Sequence, residues 1–402
     1  MNNFFNYIGV ADIERVHSSV IAWMLSKNCH AFSQTVKSKI LRKMFGVDEN
    51  NITYLKIETQ VENDHIDIVF TTNQNDMKTL WVVENKIKSL EHKVKSGKWQ
   101  TEEYADKILE KNSEGVNHFV LLSLTGEDAK SIKTKWHSLK YEDLYNIFKE
   151  AERATDNDQA TKSHIVIVNE YLGSLWNIID SLKKFINRPE DFFEIFHKLP
   201  NRDKENHDND QETIQFILSN NLESIFQIAL YNEIVKCIKC CYDDKCEDLK
   251  EYNISGSARN GDAEIIFKAQ TIGQIGTDKI TIAISFQSGT YKIVIAADDA
   301  YQSNDTKRWD KCFDIIRSYG IGEKRGGWRY NESKHLNNHQ KPRVSITKRL
   351  SSKSNWYEDK TYQELVKIMC DGFNEALDKK KEILRFINSK QKNEISNLPC
   401  SL

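Results

Sequence analysis

Four prolines and 16 glycines in 402 residues exclude a collagen-like chain and a Pro/Gly-rich disordered one. No apolar run exceeds six residues, Val20 to Leu25, so no transmembrane helix is expected. A basic region followed by a long apolar stretch is missing near the N-terminus, where Asp12, Glu14 and Arg15 stand instead. The eight cysteines follow no evenly spaced framework, so free thiols and a cytoplasmic location are expected. No P-loop, nucleophile elbow or HExxH occurs, and Gly320–Gly327 has the wrong spacing for a dinucleotide loop. It reads as a basic loop able to touch phosphate. With 57 basic and 59 acidic residues the net charge is -2, and the whole-chain balance points to no partner.

What is present is a chain 39% hydrophobic and 29% charged, long enough for two domains. Charge is unevenly placed. Gln302 to Lys360 carries 14 Lys+Arg against 7 Asp+Glu, a local +7, which leaves -9 for the remainder. Trp309, Phe313, Tyr319, Trp328, Tyr330, Trp356 and Tyr357 are interleaved there. Such a stretch suits a phosphate backbone with exposed bases, and equally a solvated basic surface over buried aromatics.

Hydrophobic spacing predicts a helix from Asp12, as N-cap, to Leu25 and another over Phe32–Phe45. β-rich pieces follow at Tyr54–Val61, Ile66–Thr71 and Thr79–Val83, the last two joined as an antiparallel hairpin through Asn73–Asp76. A polar helix holding Trp99, Gln100 and Tyr104, a strand at His118–Leu124, and helices at Tyr141–Arg153 and Ser163–Phe185 complete the first half. Ten residues without an apolar side chain, Asn201–Asp210, mark a boundary: 1–200 and 201–402 are the expected domains. Beyond it lie a helix over Ile214–Cys241, strands at Glu264–Ala269, Ile280–Phe286 and Tyr291–Ala296, and a helix from Tyr362 to about Asn388.

The chemistry centres on Asp67 and on Glu84-Asn85-Lys86, which follow the apolar strand Leu80-Trp81-Val82-Val83. Residues i and i+2 of a strand share a face, so Glu84 and Lys86 project together, and hairpin pairing can lay Asp67 beside them. Two carboxylates suit Mg²⁺, which keeps several waters, and the lysine can offset charge in a phosphoryl transition state. A strand-end salt bridge would show the same pattern, and spacing alone leaves both readings open. Cys237, Cys240, Cys241 and Cys246 have no second ligand pair at zinc spacing and read as buried helix thiols. His335 and His339 fall in an Asn-rich stretch that reads as a loop.

Taken in order, Asp67, Val83-Glu84-Asn85-Lys86-Ile87, Gln100 and Tyr104 resemble the PD-(D/E)XK nuclease superfamily, in a bacterial branch with ENK and QxxxY motifs. The opening helix Glu14–Leu25, His30, Phe32, and Phe119–Gly126 resemble that branch as well, so the likeness spans roughly residues 10–186. It implies an α/β fold: a restriction-endonuclease-like core with a mixed central sheet flanked by helices, followed by a C-terminal α+β domain. It also implies that Asp67, Glu84 and the Asn85 carbonyl hold Mg²⁺, for which Mn²⁺ substitutes. Lys86 would be the catalytic lysine, Gln100 would orient water or phosphate, and Glu14 would be an outer metal ligand or a helix-packing residue. Glu58 sits where relatives often carry an acid, with Glu62 a poorer fit, and the seventeen positions from Asp67 to Glu84 imply a long hairpin loop.

The expected function is metal-dependent hydrolysis of phosphodiester bonds, in DNA, by direct attack of water. A role in bacterial anti-phage defence rests on the resemblance alone. Lys324, Arg325, Trp328 and Arg329 are the expected nucleic-acid contacts outside the cleavage site. Two alternatives stay open: an effector nuclease gated by a ligand or partner on the C-terminal domain, and a catalytically silent nucleic-acid-binding module. A homo-oligomer or a regulatory partner is compatible with either.

Overall fold

In the computed structural model the described residues are 3–47, 56–63, 66–74, 77–153, 161–192, 195, 211–242, 246–256, 263–275, 278–287, 289–297, 310, 313–317, 328–332, 343–350 and 360–396. The expected linker at 201–210, the Gly320–Gly327 loop with Lys324 and Arg325, and His335 and His339 lie outside them. The chain divides into two compact units, Met1–Phe185 with Asn209–Phe226, and Ile186–Asp208 with Gln227–Leu402.

The first unit begins with α1 (Phe4–Tyr7), α2 (Glu14–Leu25) and α3 (Gln34–Met44). Asp12 does not cap α2. Ile13 takes that place in extended conformation without a side-chain bond, while Asp12 pairs with Lys88. Ser33 does cap α3, its hydroxyl accepting from the Val36 amide at 3.3 Å. Next come β1 (Glu58–Asn63), β2 (Ile66–Gln74), β3 (Met77–Lys86), α4 (Gln100–Lys111), β4 (Val116–Ser123), β5 (His137–Lys140), α5 (Tyr141–Arg153) and α6 (Lys162–Asn187).

The strands form one mixed sheet in the order β1-β2-β3-β4-β5. β2 pairs antiparallel with β1 and β3, whereas β3–β4 and β4–β5 are parallel. The crossover from β3 to β4 runs through α4, as a parallel pair requires. This is the mixed, helix-flanked sheet of a restriction-endonuclease-like fold. The seventeen positions between Asp67 and Glu84 do not form a long loop: β2 runs on to Gln74 and β3 resumes at Met77, so the length is in the strands. Alternation splits β3 between two faces. Leu80 and Val82 join Val69, Phe119, Leu121, Tyr104, Ala105 and Ile108 in a core beneath α4. Trp81 and Val83 point the other way, where Trp81 meets Phe45 edge to face, with ring centroids 5.3 Å apart.

Asn209–Phe226 of the first unit includes α7 (Gln211–Ser219). The single helix expected over Ile214–Cys241 is two, because α8 (Glu223–Cys240) starts afresh after Asn221, whose φ of 49° ends the first. Asparagine tolerates that left-handed geometry better than most residues.

The second unit continues with α9 (Glu247–Lys250), β6 (Tyr252–Gly256), β7 (Ala263–Phe267), β8 (Gln270–Ile275), β9 (Asp278–Gln287), β10 (Thr290–Ala297), β11 (Arg329–Glu332), β12 (Arg343–Arg349) and α10 (Tyr362–Ser396). Its sheet is antiparallel throughout, in the order β11-β12-β10-β9-β7-β6, with β8 on the other part of β9. Ile284, Phe286, Tyr291, Ile293 and Ile295 fill the face under α10, where the Tyr291 hydroxyl donates to the Met369 carbonyl at 2.7 Å. Gly372 permits that approach: a Cβ there would lie 2.6 Å from the Tyr291 ring. Together the units make an α/β nuclease-type core and a C-terminal α+β part.

The expected buried thiols are not buried. Cys240 and Cys241 are exposed, and Cys237 and Cys246 are half-buried; on α8, Ile234, Val235 and Ile238 form the buried stripe, and Cys237 and Cys240 lie beside it. Among the described residues no helix is long and apolar enough to cross a membrane.

Candidate active site

β3 is the central strand, and its C-terminal end remains covered: Glu84 is 1% exposed, Asn85 0% and Lys86 6%. Charges are expensive at such depth unless paired or metal-bound. Ile68 pairs with Val83, which puts Asp67 one step further along β2, opposite Glu84 and on the same face. The Asn85 amide donates to Asp67 Oδ2 at 2.7 Å. Lys86 Nζ lies 2.8 Å from Glu84 Oε1, yet off hydrogen-bond geometry, so neither Glu84 oxygen accepts a well-aligned bond.

Burial first, and the Asp67 charge second, push the Glu84 carboxyl up to about 8. Burial also raises Asp67, against the Asn85 amide and Lys86. For Lys86 burial opposes the charge, but Glu84, Glu14 and Asp67 outweigh it and hold the ammonium above the ordinary lysine range. The corner thus holds two crowded carboxyls that repel when ionised, with one fixed cation beside them.

The Asn85 side chain points to the opposite face. Its Nδ2 donates to the Glu14 carbonyl and the Ser18 hydroxyl, both at 3.0 Å, and its Oδ1 accepts from the Tyr141 hydroxyl at 2.5 Å. These bonds lock the backbone between Glu84 and Lys86. Glu14 reinforces the same end of β3, since its Oε1 accepts from the Ile87 amide at 2.9 Å, the Lys88 amide at 3.1 Å and the Ser89 hydroxyl at 3.1 Å. Behind it His17 is fully buried, with its pKa lowered to about 4 by desolvation. Its Nε2 donates to the Ala11 carbonyl at 2.7 Å, which leaves Nδ1 to accept from the Tyr171 hydroxyl at 3.2 Å.

Gln100 opens α4 on the carboxylate side of the sheet. Its Nε2 donates to the Tyr104 hydroxyl at 2.9 Å, while its buried Oε1 has no partner. Trp99 cannot cap this helix. Glu91 does so instead, its Oε1 accepting from the Thr101 amide at 3.0 Å and from the Thr101 hydroxyl, while Oε2 accepts from the Lys130 amide at 2.7 Å. The Glu91 amide in turn donates to Glu127 Oε1 at 3.3 Å, and burial pushes Glu127 up to about 7. Sequence reading missed Glu91 and Glu127. No spacing in the sequence links either residue to α4.

Other candidates fall elsewhere. Glu58 opens β1 opposite Thr71, away from the Ile66 end of β2, and is exposed. Trp328 is 7% exposed and lies beside Tyr291, Leu350 and Ile368, so stacking on an exposed base, as expected of it, is not available. Arg329 is exposed on β11.

The donors fit a divalent cation. Gln100 Oε1 is a buried acceptor without a partner, both Glu84 oxygens are buried with Lys86 and Asp67 as their polar neighbours, and neither accepts a well-aligned bond. A hard oxygen set of two carboxylates leaves most of a Mg²⁺-like shell to water and phosphate. No group of three or more His, Cys, Asp or Glu suited to a metal occurs among the described residues, so the site depends on such outside ligands.

No curated protein and no solved structure matches the chain. Residues 2–172 match the family model described as the PD-(D/E)XK nuclease superfamily, and that stretch contains Glu14, Asp67, Glu84, Asn85, Lys86 and Gln100. Members of this superfamily generally use divalent metal ions on nucleic acid. Over residues 2–172, therefore, the chain is similar to the PD-(D/E)XK nuclease superfamily, in the stretch that carries the candidate site.

Proposed function

We propose that the protein is a Mg²⁺-dependent deoxyribonuclease, with Mn²⁺ able to replace Mg²⁺. Asp67, Glu84 and the Asn85 carbonyl would hold the cation, which supplies an activated water and offsets charge on the scissile phosphate. Lys86 places its ammonium beside the phosphate oxygens, where negative charge grows during attack. The Oε1 of Gln100 accepts from the attacking water and orients it. Glu14 holds the end of β3 through its three bonds and so sets the Asn85–Lys86 backbone. No covalent intermediate is invoked, since the attack is assigned to water. A recognition role for the second unit, gating by a ligand or partner there, and service in defence against foreign DNA belong to the same reading.

The observation that carries it is the buried Asp67–Glu84 pair of carboxyls with the Lys86 ammonium 2.8 Å from Glu84 Oε1. A strand-end salt bridge on a solvated edge would be exposed, whereas Glu84 and Lys86 are buried. Circular DNA, linear DNA and RNA are incubated with each divalent metal, using wild type and Glu84→Ala. Cleavage of DNA in Mg²⁺ or Mn²⁺, lost with EDTA and in Glu84→Ala, is expected. Wild-type activity in that variant overturns the assignment.

A further inference from the structure

The basic stretch Gln302–Lys360 acquires a shape only through strand register. Thr347 of β12 pairs with Lys292 of β10 on one side and with Arg329 of β11 on the other. Two residues along β12, Arg349 pairs with Thr290, and in the opposite direction Arg343 pairs with Ala296. Alternation sets all of these on the face opposite Tyr291, Ile293, Val344 and Ile346, which are buried under α10. Lys279, exposed on β9, shares that outer face.

Arg329, Arg343 and Arg349 are exposed and make no ion pair among the described residues. Lys292 donates to Gln287 Oε1 at 2.7 Å. The one acidic side chain that alternation puts on this face, among the described residues of β6, β7, β9, β10, β11 and β12, is Glu264. It lies three strands from Arg349, about 14 Å away at about 4.8 Å per strand. The other groups between the cations are Thr290, Ser345, Thr347 and Asn331, with the apolar Val294 opposite Ser345 and the buried Ala296 opposite Arg343.

We propose that this outer face of the second sheet binds the phosphate backbone of duplex DNA through Lys292, Arg329, Arg343 and Arg349. Arg343 and Arg349 are about 20 Å apart at about 3.4 Å per residue, and Lys292 and Arg329 flank Thr347 about 10 Å apart. That lattice of cations spans several phosphates of one duplex face. Duplex is favoured over single strands because β10, β11 and β12 put no aromatic on this face, while Trp328, the nearest tryptophan, is buried. With no base-reading groups in a groove-shaped element, binding is independent of sequence. The proposal rests on the nuclease reading for its choice of nucleic acid over another polyanion.

The test is fluorescence anisotropy of the full chain with a labelled duplex in EDTA, across a series of salt concentrations. Arg329→Gln/Arg343→Gln/Arg349→Gln is expected to lower the log–log salt slope by about 2.7, from about 0.9 per phosphate contact. It should weaken two unrelated sequences by the same factor, and the triple Arg→Lys variant should retain the wild-type slope. An unchanged slope in the Gln variant, or an equal loss in the Lys variant, overturns the proposal. So does full DNA affinity together with lost binding to polyglutamate, which would make the face a site for an acidic protein. Hydrolysis of bis(4-nitrophenyl) phosphate in Mg²⁺ or Mn²⁺ separates the two readings. The Gln variant should retain it. If wild type lacks it, the nuclease assignment falls while the slope still judges this surface.

Discussion

Glu84 shows how far one buried carboxyl can be pushed by its surroundings. Its ordinary value is 4.5 and its value in the fold is about 8, so between those limits the folded chain binds more protons than the unfolded one. Stability contributed by the protonated group is present below about 4.5 and is lost as pH rises through about 8. Without divalent metal, the melting temperature should therefore fall from pH 5 to pH 8, and Glu84→Gln should flatten that part of the profile. Saturating Mg²⁺ should restore stability at pH 8 in wild type and not in Glu84→Gln, because it binds the ionised form. A wild-type profile in the variant would show that the slope comes from other groups, such as Glu127. Part of this was legible in the sequence, since charges directly after Leu80–Val83 have to be paired or ligated. The Tyr141–Asn85 bond was not, because 56 residues separate its partners.

At the scale of elements, α4 depends on a cap from outside its own sequence. Glu91 satisfies the Thr101 amide that Trp99 cannot reach, and Thr101 is the neighbour of Gln100. Glu91→Ala should cost about 1–2 kcal/mol of stability, the range for a lost N-cap or an unpaired buried donor. It should also lower kcat more than it raises KM, because Gln100 moves with the first turn of α4. Glu91→Gln, which retains an acceptor for Thr101, should recover most of both losses. Thermal unfolding and steady-state cleavage assays check the pair, and a KM change alone would confine Glu91 to substrate binding. The helix itself was readable from its spacing, but the cap was not: Ala or Gln at 91 would leave every local signal for α4 unchanged.

For the whole molecule, the division into units predicts which fragments fold. α7 and the segment to Phe226 group with the first unit, where Ile214, Ile217, Leu222 and Phe226 are at most 1% exposed and Phe226 meets Phe185 at 5.9 Å. A fragment 1–226 should therefore melt higher than a fragment 1–200 by about 10 °C. Loss of one large buried side chain costs about 3–5 kcal/mol, and each kcal/mol shifts a domain of this size by about 2–4 °C. Equal melting temperatures would mean that the Asn209–Phe226 segment adds nothing to the first unit.

The sequence by itself determined which groups make up the proposed site and the order of elements around them. An apolar strand ending in Glu84-Asn85-Lys86, Asp67 on the strand before, and Gln100 on the helix after are local facts, written in alternation and helical period. Tertiary structure decided what those groups experience. Pairing of Ile68 with Val83 brought the two carboxyls together, and burial beneath α4 raised both. It also decided which face of the second sheet the arginines of β11 and β12 share, because register depends on partners dozens of residues apart. Buried Trp328, exposed Cys240 and paired Asp12 were misread for the same reason: exposure and partnership belong to the packed chain and not to the residue.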